Sequence, residues 1–258
     1  MIHLKTPDEI AVIAKGGAII AGLFSEVEGR VVPGASTGDL DRFCDEYIRA
    51  HDGAEPAFKG LYGFAGSVCT SINEEVVHGI PSHDRRLELG DIISIDVGVR
   101  LDGWCSDSAW TFPVGEVDAE TEHLLAVTEQ ALNAAIAAAT PGNNVGDIGA
   151  AVMSVVSGTG FGIIADLVGH GVGRAVHEEP QVPNIGEAGV GPLLRAGMVL
   201  AIEPMISRGS DQIRTLDDRW TVVTADGTRS AHFEHTVAVT ASSPRVLTVA
   251  TEGVGSPA

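Results

Sequence analysis

The sequence predicts an α+β fold made of two related halves. Two motifs occur twice along the chain, at nearly the same separation. PGASTGDLDRFCDEYI, from Pro33, returns as PGNNVGDIGAAVMSVV from Pro141, and GDIISID (residues 90–96) returns as GMVLAIE (residues 197–203). Such a repeat indicates duplication of one α/β unit. In each half, helical patterns precede apolar strands, which favours an α+β arrangement over a parallel doubly wound sheet.

The first helix is predicted to begin at Thr6. Thr6 is a good N-cap, Pro7 suits the first helical position, and Glu9 completes a capping box. Apolar and small residues then recur at helical spacing, so one face of this helix packs on the protein interior. The residues on that face are Ile10, Ile13, Gly17, Ile20, Ala21 and Phe24.

Further elements follow from the same periodicities. A second helix is predicted through Leu40, Phe43 and Tyr47, after the first proline-glycine motif. Late in the chain, the segment HFEHTVAVT alternates between apolar and more polar positions, with Phe233 and Val237 on one face. This alternation is typical of a half-buried strand.

Composition and charge narrow the classes of partner. Hydrophobic residues make up 44% of the 258 residues and charged residues 20%, which is ordinary for a chain with a sizeable buried core. The formal net charge of −19 argues against stable binding to nucleic acid or to anionic membranes, because both need clustered Lys and Arg. No segment approaches the roughly 20 apolar residues that span a bilayer.

The N-terminus and the cysteines indicate a cytoplasmic protein. Asp8 and Glu9 stand where a signal peptide has its basic and apolar regions, so we expect none. Cys44, Cys69 and Cys105 are odd in number, widely spaced and without a CxxC pair. This pattern argues against a disulfide framework or a structural zinc site and fits a reducing compartment.

Asp96 and Asp107 are predicted to lie close together on one hairpin. Asp102-Gly103, between the strand that ends near Asp96 and the strand WCSDSAWTF, is a strong signal for a two-residue turn. Such a turn places Asp96 opposite Ala109, with Asp107 two positions along on the same face. Two like charges within about 8 Å on an apolar hairpin are costly unless a cation lies between them. An exposed hairpin with scattered acids is the alternative.

Glu203 and Glu234 extend this acidic set. Glu203 follows an apolar run and precedes Pro204, which holds it extended at a strand end. Glu234 interrupts an apolar strand, and an exposed strand edge would explain either acid alone. Four carboxylates with an imidazole suit two divalent cations, and paired cations of this kind serve hydrolases.

The segment LVGHGVGRAVHEEP, residues 167–180, supplies two histidines, His170 and His177. Its glycines oppose a helix and it lacks the second histidine of HExxH, which argues against a helical zinc site. A phosphate-binding loop is disfavoured because no GK[ST] follows and the net charge is negative. From the residues alone, the two histidines are metal ligands, an acid–base pair or polar residues closing a loop.

Five segments, taken together, resemble type I methionine aminopeptidases of the bacterial kind. They are CTSINEEVVHGIP, GDIISIDVGVRLDGWCSDSAWTF, VGHGVGRAVHEEPQV, GMVLAIEPM and SAHFEHTVAVT, in family order and spacing over about residues 8–240. The resemblance implies the pita-bread (creatinase/aminopeptidase) fold, in which two pseudo-symmetric α/β halves surround a central antiparallel sheet. We therefore expect one catalytic domain over residues 1–246, with halves at about 10–115 and 120–245, and a flexible tail over 247–258.

The resemblance also implies an activity and its cofactors. The activity is metal-dependent removal of the N-terminal methionine from nascent proteins and peptides with a small second residue. The cofactors are two divalent cations (Co, Mn, Fe or Zn) and a monovalent cation bound by the loops at Asn73 and Ser230. The implied ligands of the divalent cations are Asp96, Asp107, His170, Glu203 and Glu234, with Asp107 and Glu234 bridging.

Three residues are implied to take part in catalysis and substrate binding. Glu203 would shuttle the proton of the attacking water, His177 would contact the scissile carbonyl or its oxyanion, and His78 would position and protonate the substrate amide. The methionine pocket is implied to contain Leu61, Tyr62, Phe64, Cys69 and Trp220, each of which also suits ordinary core packing. No role is expected for His83, His123, His232 or His235.

Cys105 departs from the family pattern, which often has histidine two residues before the bridging aspartate. By strand parity it lies on the same face as Asp107, and we favour packing over metal binding or sensitivity to oxidation. The short spacing from His177 to Glu203 argues against type II enzymes, and the helix start at Thr6 argues against proline-specific peptidases. The alternatives are a non-catalytic binding module and another dinuclear-metal peptidase or amidase of the same fold. We expect a monomer that acts on nascent polypeptide N-termini, with transient ribosome contact.

Overall fold

A computed structural model describes residues 1–249 of the chain. Its α-helices are α1 (Pro7–Glu28), α2 (Thr37–Arg49), α3 (Ala119–Ala138) and α4 (Val145–Val156). Its strands are β1 (Ala54–Pro56), β2 (Cys69–Ile72), β3 (Glu75–Val77), β4 (Ile92–Leu101), β5 (Trp104–Pro113), β6 (Gly162–Ile163), β7 (Val168–Gly171), β8 (Glu178–Pro183), β9 (Val199–Ile202), β10 (Met205–Ser207), β11 (Ile213–Thr215), β12 (Val222–Thr224), β13 (Ser230–His232), β14 (His235–Val239) and β15 (Pro244–Val246). These strands pair antiparallel throughout, so the predicted α+β class is confirmed.

Helix α1 begins as predicted and lies in the core. The Glu9 N–H donates to Thr6 Oγ1 at 3.3 Å, and the Thr6 N–H donates to Glu9 Oε2 at 2.8 Å, which completes a capping box. The buried face contains Ile13 and Ile20 and is wider than predicted, since Leu23 is buried as well. Against the sequence expectation, α1 is long and apolar enough to cross a membrane by length and composition, with a mean hydropathy of 1.7. Half of that apolar window is buried inside the protein, as expected of a core helix.

Helix α2 buries a stripe one position away from the predicted one. Leu40, Cys44 and Ile48 are buried along it, whereas Phe43 and Tyr47 lie at its half-buried margin. The predicted helix is present, and the stripe that faces the core is centred on Cys44.

Two larger sheets organise the molecule. The first has the order β1-β4-β2 with β5 on β4, and the second has the order β15-β14-β9-β7-β8. Helices α1 and α2 contribute to the core over the first sheet, and α3 and α4 to the core over the second. The central sheet that the sequence predicts is thus divided into separate hydrogen-bonded sheets. The two larger ones meet where β5 contacts β14.

The repeated motifs adopt the same backbone conformation in both halves. Gly34 and Gly142 have φ values of 89° and 95°. Their N–H groups donate to the carbonyls of Leu87 (2.7 Å) and Leu194 (3.1 Å), respectively. The second motif opens in each half on a glycine at positive φ, which side chains rarely adopt: Gly90 (90°) and Gly197 (95°).

The packed part of the chain includes the first residues of the predicted tail. Leu247 and Thr248 are 1% and 3% exposed, and Thr248 Oγ1 bonds to His235 Nδ1 at 2.8 Å. Leu247 packs against α1, where Gly17 leaves room for its carbonyl. Residues 250–258 of that tail lie outside the described residues.

Candidate active site

The hairpin of β4 and β5 has the predicted register. Asp102 and Gly103 form its turn at φ values of 50° and 76°. Asp96 pairs with Ala109, and Asp107 follows two positions along on the same face. Both carboxyl groups line one cavity. The convergence of these two acids therefore follows from the turn and the two-residue period of the strands.

The two halves meet where β5 and β14 lie side by side. The Glu234 N–H donates to the Ala109 carbonyl at 2.9 Å, and Ser108 Oγ donates to the Glu234 carbonyl at 2.5 Å. The Asp107 N–H donates to Thr236 Oγ1 at 2.9 Å, and that hydroxyl donates to the Asp107 carbonyl at 2.7 Å. These bonds hold Asp107 and Glu234 together although they come from different halves.

An imidazole completes a compact group of donor atoms. One atom each from Asp107, His170 and Glu234 lie within 4.8 Å of one another. His170 Nε2 is 3.9 Å from Asp107 Oδ2 and 3.5 Å from Glu203 Oε1. The structure thus brings the four predicted carboxylates together with His170, since Asp96 lines the same cavity.

Burial raises the pKa of all four carboxyl groups. Loss of solvation raises the pKa of Asp96 to about 7 and that of Glu203 to about 7, although nearby imidazoles act in the opposite direction. Burial, and then repulsion from neighbouring carboxylates, raises the pKa of Asp107 and Glu234 well above the ordinary range. Within residues 1–249, this group forms ion pairs with histidines only. Among those described residues, no Lys or Arg lies within ion-pair distance of these carboxyl groups.

Several polar atoms of this group have no hydrogen-bond partner within residues 1–249. Asp96 Oδ1, Asp107 Oδ1 and Glu234 Oε1 are buried and unpaired. Unpaired buried polar atoms are rare in folded proteins unless they serve a ligand. Carboxylate oxygens with one imidazole nitrogen are donors that divalent cations accept. The residues present therefore fit a divalent metal centre.

The hydrogen bond of His170 indicates which of its nitrogens is free. His170 lies on β7, and its Nδ1 is 2.9 Å from the Gly171 carbonyl oxygen. A carbonyl only accepts, so we assign the proton to Nδ1. Nε2 then presents its lone pair to the carboxylates, as in histidine ligands whose other nitrogen bonds a carbonyl.

His177 and His78 lie on the same cavity without belonging to the carboxylate group. The His177 ring centroid is 4.4 Å from that of His170 and 6.1 Å from that of Tyr62. The His78 ring meets Trp220 edge-on at 6.2 Å. Burial lowers the pKa of both His78 and His177, which favours their neutral forms.

The cavity has a volume of about 260 Å³ and an apolar wall beside the carboxylates. All five residues predicted for the methionine pocket line it: Leu61, Tyr62, Phe64, Cys69 and Trp220. The apolar lining also includes residues for which the sequence predicts no role: Phe58, Val77, Leu167, Val168 and Met205. Their apolar character alone does not distinguish them from core residues.

His232, for which the sequence predicts no role, also lines this cavity. Its side chain is 1% exposed, and Nε2 is 3.5 Å from Glu203 Oε2. Neither ring nitrogen has a hydrogen-bond partner among the described residues. Strand parity does not link it to Glu234, because β13 ends at His232 and Glu234 lies between β13 and β14, so the sequence held no signal for this position.

Three other predicted positions lie beside the site. The Ser230 N–H donates to the Asn73 carbonyl at 2.8 Å, so the two loops expected to hold a monovalent cation are adjacent. Cys105 is fully buried in a core cluster, and burial raises the pKa of its thiol to about 11. It is absent from the described cavity lining, which agrees with a packing role.

Buried carboxylates around one imidazole, lining an apolar cavity in this duplicated α+β fold, define a metal-dependent hydrolase. The chain belongs to metallopeptidase family M24, whose model matches residues 11–241. Family membership, together with the donor group of Asp107, His170 and Glu234, supports a divalent metal as cofactor.

Individual relatives are similar along nearly the whole chain. The methionine aminopeptidase of Clostridium perfringens (strain 13 / Type A) is 49% identical over 249 residues, covering 96% of this chain and 99% of the relative. Methionine aminopeptidase 1 of Bacillus subtilis (strain 168) is 47% identical over 248 residues, covering 96% and 99%. The crystal structure of methionine aminopeptidase from Thermotoga maritima superposes with a TM-score of 0.94 at 43% identity, covering 96% of this chain and 100% of that one. The resemblance to methionine aminopeptidases and the pita-bread fold are confirmed.

Proposed function

We propose that this chain removes the N-terminal methionine from nascent proteins and peptides whose second residue is small. One observation carries the proposal: the group of buried carboxylates and His170 borders an apolar cavity of a size suited to one side chain. A peptide whose first side chain enters the cavity has its first amide beside the carboxylates. The similarity to methionine aminopeptidases supports this reading.

Two divalent cations are proposed as the cofactor. The residues that would hold them are Asp96, Asp107, His170, Glu203 and Glu234, of which Asp107, His170 and Glu234 bring donor atoms within 4.8 Å of one another. When bound, such ions act as Lewis acids that activate water and polarise a carbonyl group. Mn, Fe, Co and Zn all suit these donors, and availability selects among them.

Three side chains are proposed to take part in proton transfer and substrate binding. Glu203 accepts a proton from the attacking water and passes it to the leaving amine, acting first as a general base and then as a general acid. Neutral His177 donates a hydrogen bond to the oxygen of the scissile carbonyl as negative charge develops there. His78, next to Trp220, holds the amide nitrogen of the substrate.

The pocket distinguishes methionine by shape and polarity. Phe64 and Trp220 meet edge-on at 5.1 Å, and Cys69 closes the cavity beside Asp96, its cross-strand partner. Such a wall favours an unbranched apolar side chain over shorter ones by the burial of its methylenes. The carboxylates and imidazoles are then left to contact the backbone of the substrate, and the apolar wall contacts its side chain.

Several finer properties belong to the same proposal. We propose that residues 1–246 form the catalytic domain, and that a monovalent cation joins the adjacent loops of Asn73 and Ser230. The three cysteines are free and buried, which supports work in a reducing cytoplasm. A net charge of −19 disfavours lasting contact with the ribosome, so any such contact is transient. We propose that the enzyme acts as a monomer.

Release of free methionine tests the proposal. Metal-stripped protein receives Mn, Co, Fe or Zn in turn and is assayed on Met-Ala-Ser and Leu-Ala-Ser. We expect metal-dependent cleavage of the first peptide only. Glu203→Gln lowers kcat by about 10²–10⁴-fold through loss of its proton transfer, whereas the exposed Glu129→Gln is the matched control. Two bound ions per chain without cleavage of either peptide would favour a binding module instead.

A further inference from the structure

Lys5 is a buried lysine paired with the residue that follows His177. Its Nζ donates to Glu178 Oε2 at 2.8 Å, and the two side chains are 1% and 18% exposed. The Lys5 N–H donates to the Gly197 carbonyl at 2.7 Å, which fixes the lysine backbone at the start of β9. Lysine is almost never fully buried without a partner, because loss of hydration is costly. The N-terminal segment thus places one charge next to the histidine segment.

The other oxygen of Glu178 organises the loop that carries His177. Glu178 Oε1 accepts from the N–H of Arg174 at 2.7 Å and from the N–H of Ala175 at 3.3 Å. Gly173 leaves room for this carboxylate, since a Cβ there would clash with Glu178 Oε1. The burial of Glu178 raises its pKa, but its bonds to Lys5 and to the loop N–H groups outweigh that effect and lower it. The carboxylate is therefore ionised and closes the loop upon itself.

The same loop is fastened to the hairpin that carries Asp107. The Cys105 N–H donates to the Gly173 carbonyl at 2.8 Å. Arg174 places its guanidinium 3.9 Å above the Trp104 ring, and the His3 ring is stacked with that indole at 6.5 Å. The loop between His170 and His177 is thus held from β5 on one side and from the N-terminal segment on the other.

We propose that the Lys5–Glu178 ion pair is a positioning device for His177, through which the N-terminal segment sets the geometry of the active site. Lys5 and Glu178 are positioning residues, and neither lines the described cavity. The inference rests on the proposed function, because the role of His177 does. A shift of about 1 Å in a group that acts on the reacting atoms lowers rates by up to about 100-fold. Binding of the methionine side chain is expected to change little.

Lys5→Met, Lys5→Arg and the control Lys15→Met test the device in the metal-loaded enzyme. Lys15 is an exposed lysine on α1, so its replacement makes the same chemical change away from the loop. Assays of Met-Ala-Ser run well below the unfolding temperature of each variant. We expect Lys5→Met to lower kcat by about 10- to 100-fold with KM within about threefold of wild type. Lys5→Arg restores most of the loss because it keeps the charge.

Hydrogen exchange gives a second readout that does not depend on catalysis. Amides of residues 171–178 exchange faster in Lys5→Met than in wild type, while metal stoichiometry stays the same. Wild-type kcat in Lys5→Met, or unchanged exchange in this loop, overturns the inference and leaves the proposed function intact. If the wild-type protein cleaves no peptide with any metal, the proposed function fails and the positioning role fails with it.

Discussion

The N–H of Glu234 donates a hydrogen bond of 2.9 Å to the carbonyl of Ala109, the residue that pairs with Asp96 across the β4–β5 hairpin. One backbone bond thus joins the acidic residues of the two halves. In either half alone, the acidic residues could be exposed to solvent at the surface of their strands. Their association in a buried place makes the group dependent on a cation, because like charges repel strongly when water is excluded.

The stability of the metal-free protein is expected to fall as pH rises. Burial raises the folded-state pKa of Asp96 and of Glu203 to about 7, above the unfolded values of about 4. Their contribution to stability is present in full below the unfolded pKa and is lost as pH rises through the folded pKa. Urea unfolding of chelator-treated protein at pH 5 to 8 measures this loss.

Saturating Mn²⁺ or Co²⁺ provides the control for that experiment. A cation that binds the ionised carboxylates stabilises the folded state and opposes the fall. A flat pH profile without metal, or an identical slope with metal, would contradict the assignment of these carboxylates to one cation site.

His232→Leu is expected to change the free energy of unfolding of the metal-free protein by less than about 1 kcal/mol. In the described part of the chain, neither nitrogen of its buried ring has a hydrogen-bond partner, so an apolar side chain removes no such bond. His235→Leu is the matched comparison, because His235 Nδ1 bonds Thr248 Oγ1 at 2.8 Å. Loss of that bond costs about 1–3 kcal/mol. Urea titrations that show the larger cost at His232 would disprove the expectation.

Trp220→Leu is expected to relax the choice of the first residue. The indole lines the cavity and meets Phe64 edge-on, so its removal widens the pocket and withdraws contact from methionine. The ratio of kcat/KM for Met-Ala-Ser to that for Phe-Ala-Ser falls by about 10-fold or more. Equal ratios in variant and wild type would show that Trp220 does not form the methionine pocket.

Gly90 and Gly197, the equivalent glycines that open the second repeated motif, allow a matched comparison of stability. Gly90→Ala places a side chain at a φ of 90° in open space, with the Glu116 carbonyl oxygen 3.8 Å away, and costs about 1–2 kcal/mol. Gly197→Ala adds a clash, since its Cβ would lie 2.9 Å from the Lys5 carbonyl oxygen. Denaturant unfolding should therefore show the larger loss for Gly197→Ala. The reverse order would contradict the close approach of Lys5 to Gly197.

Local features of the molecule were predictable because neighbouring residues decide them. The Thr6 cap depends on groups three residues apart, and the pairing of Asp96 with Ala109 depends on the two-residue turn at Asp102-Gly103. The alternation of side chains along a strand then puts Asp107 on the face of Asp96. Gly34 and Gly142 share a positive φ, as do Gly90 and Gly197, because the same short motif recurs in each half.

Other features arise only when distant segments pack together. Lys5 and Glu178 are 173 positions apart, and no pattern in either segment indicates the other. His232 resembles the other surplus histidines in sequence, and its place beside Glu203 depends on the pairing of β13 with β10, which puts His232 opposite Met205. Hydrogen-bond register and capping are set along the chain, whereas the approach of these side chains is set by the shapes of many residues filling one core, which spacing in the sequence does not encode.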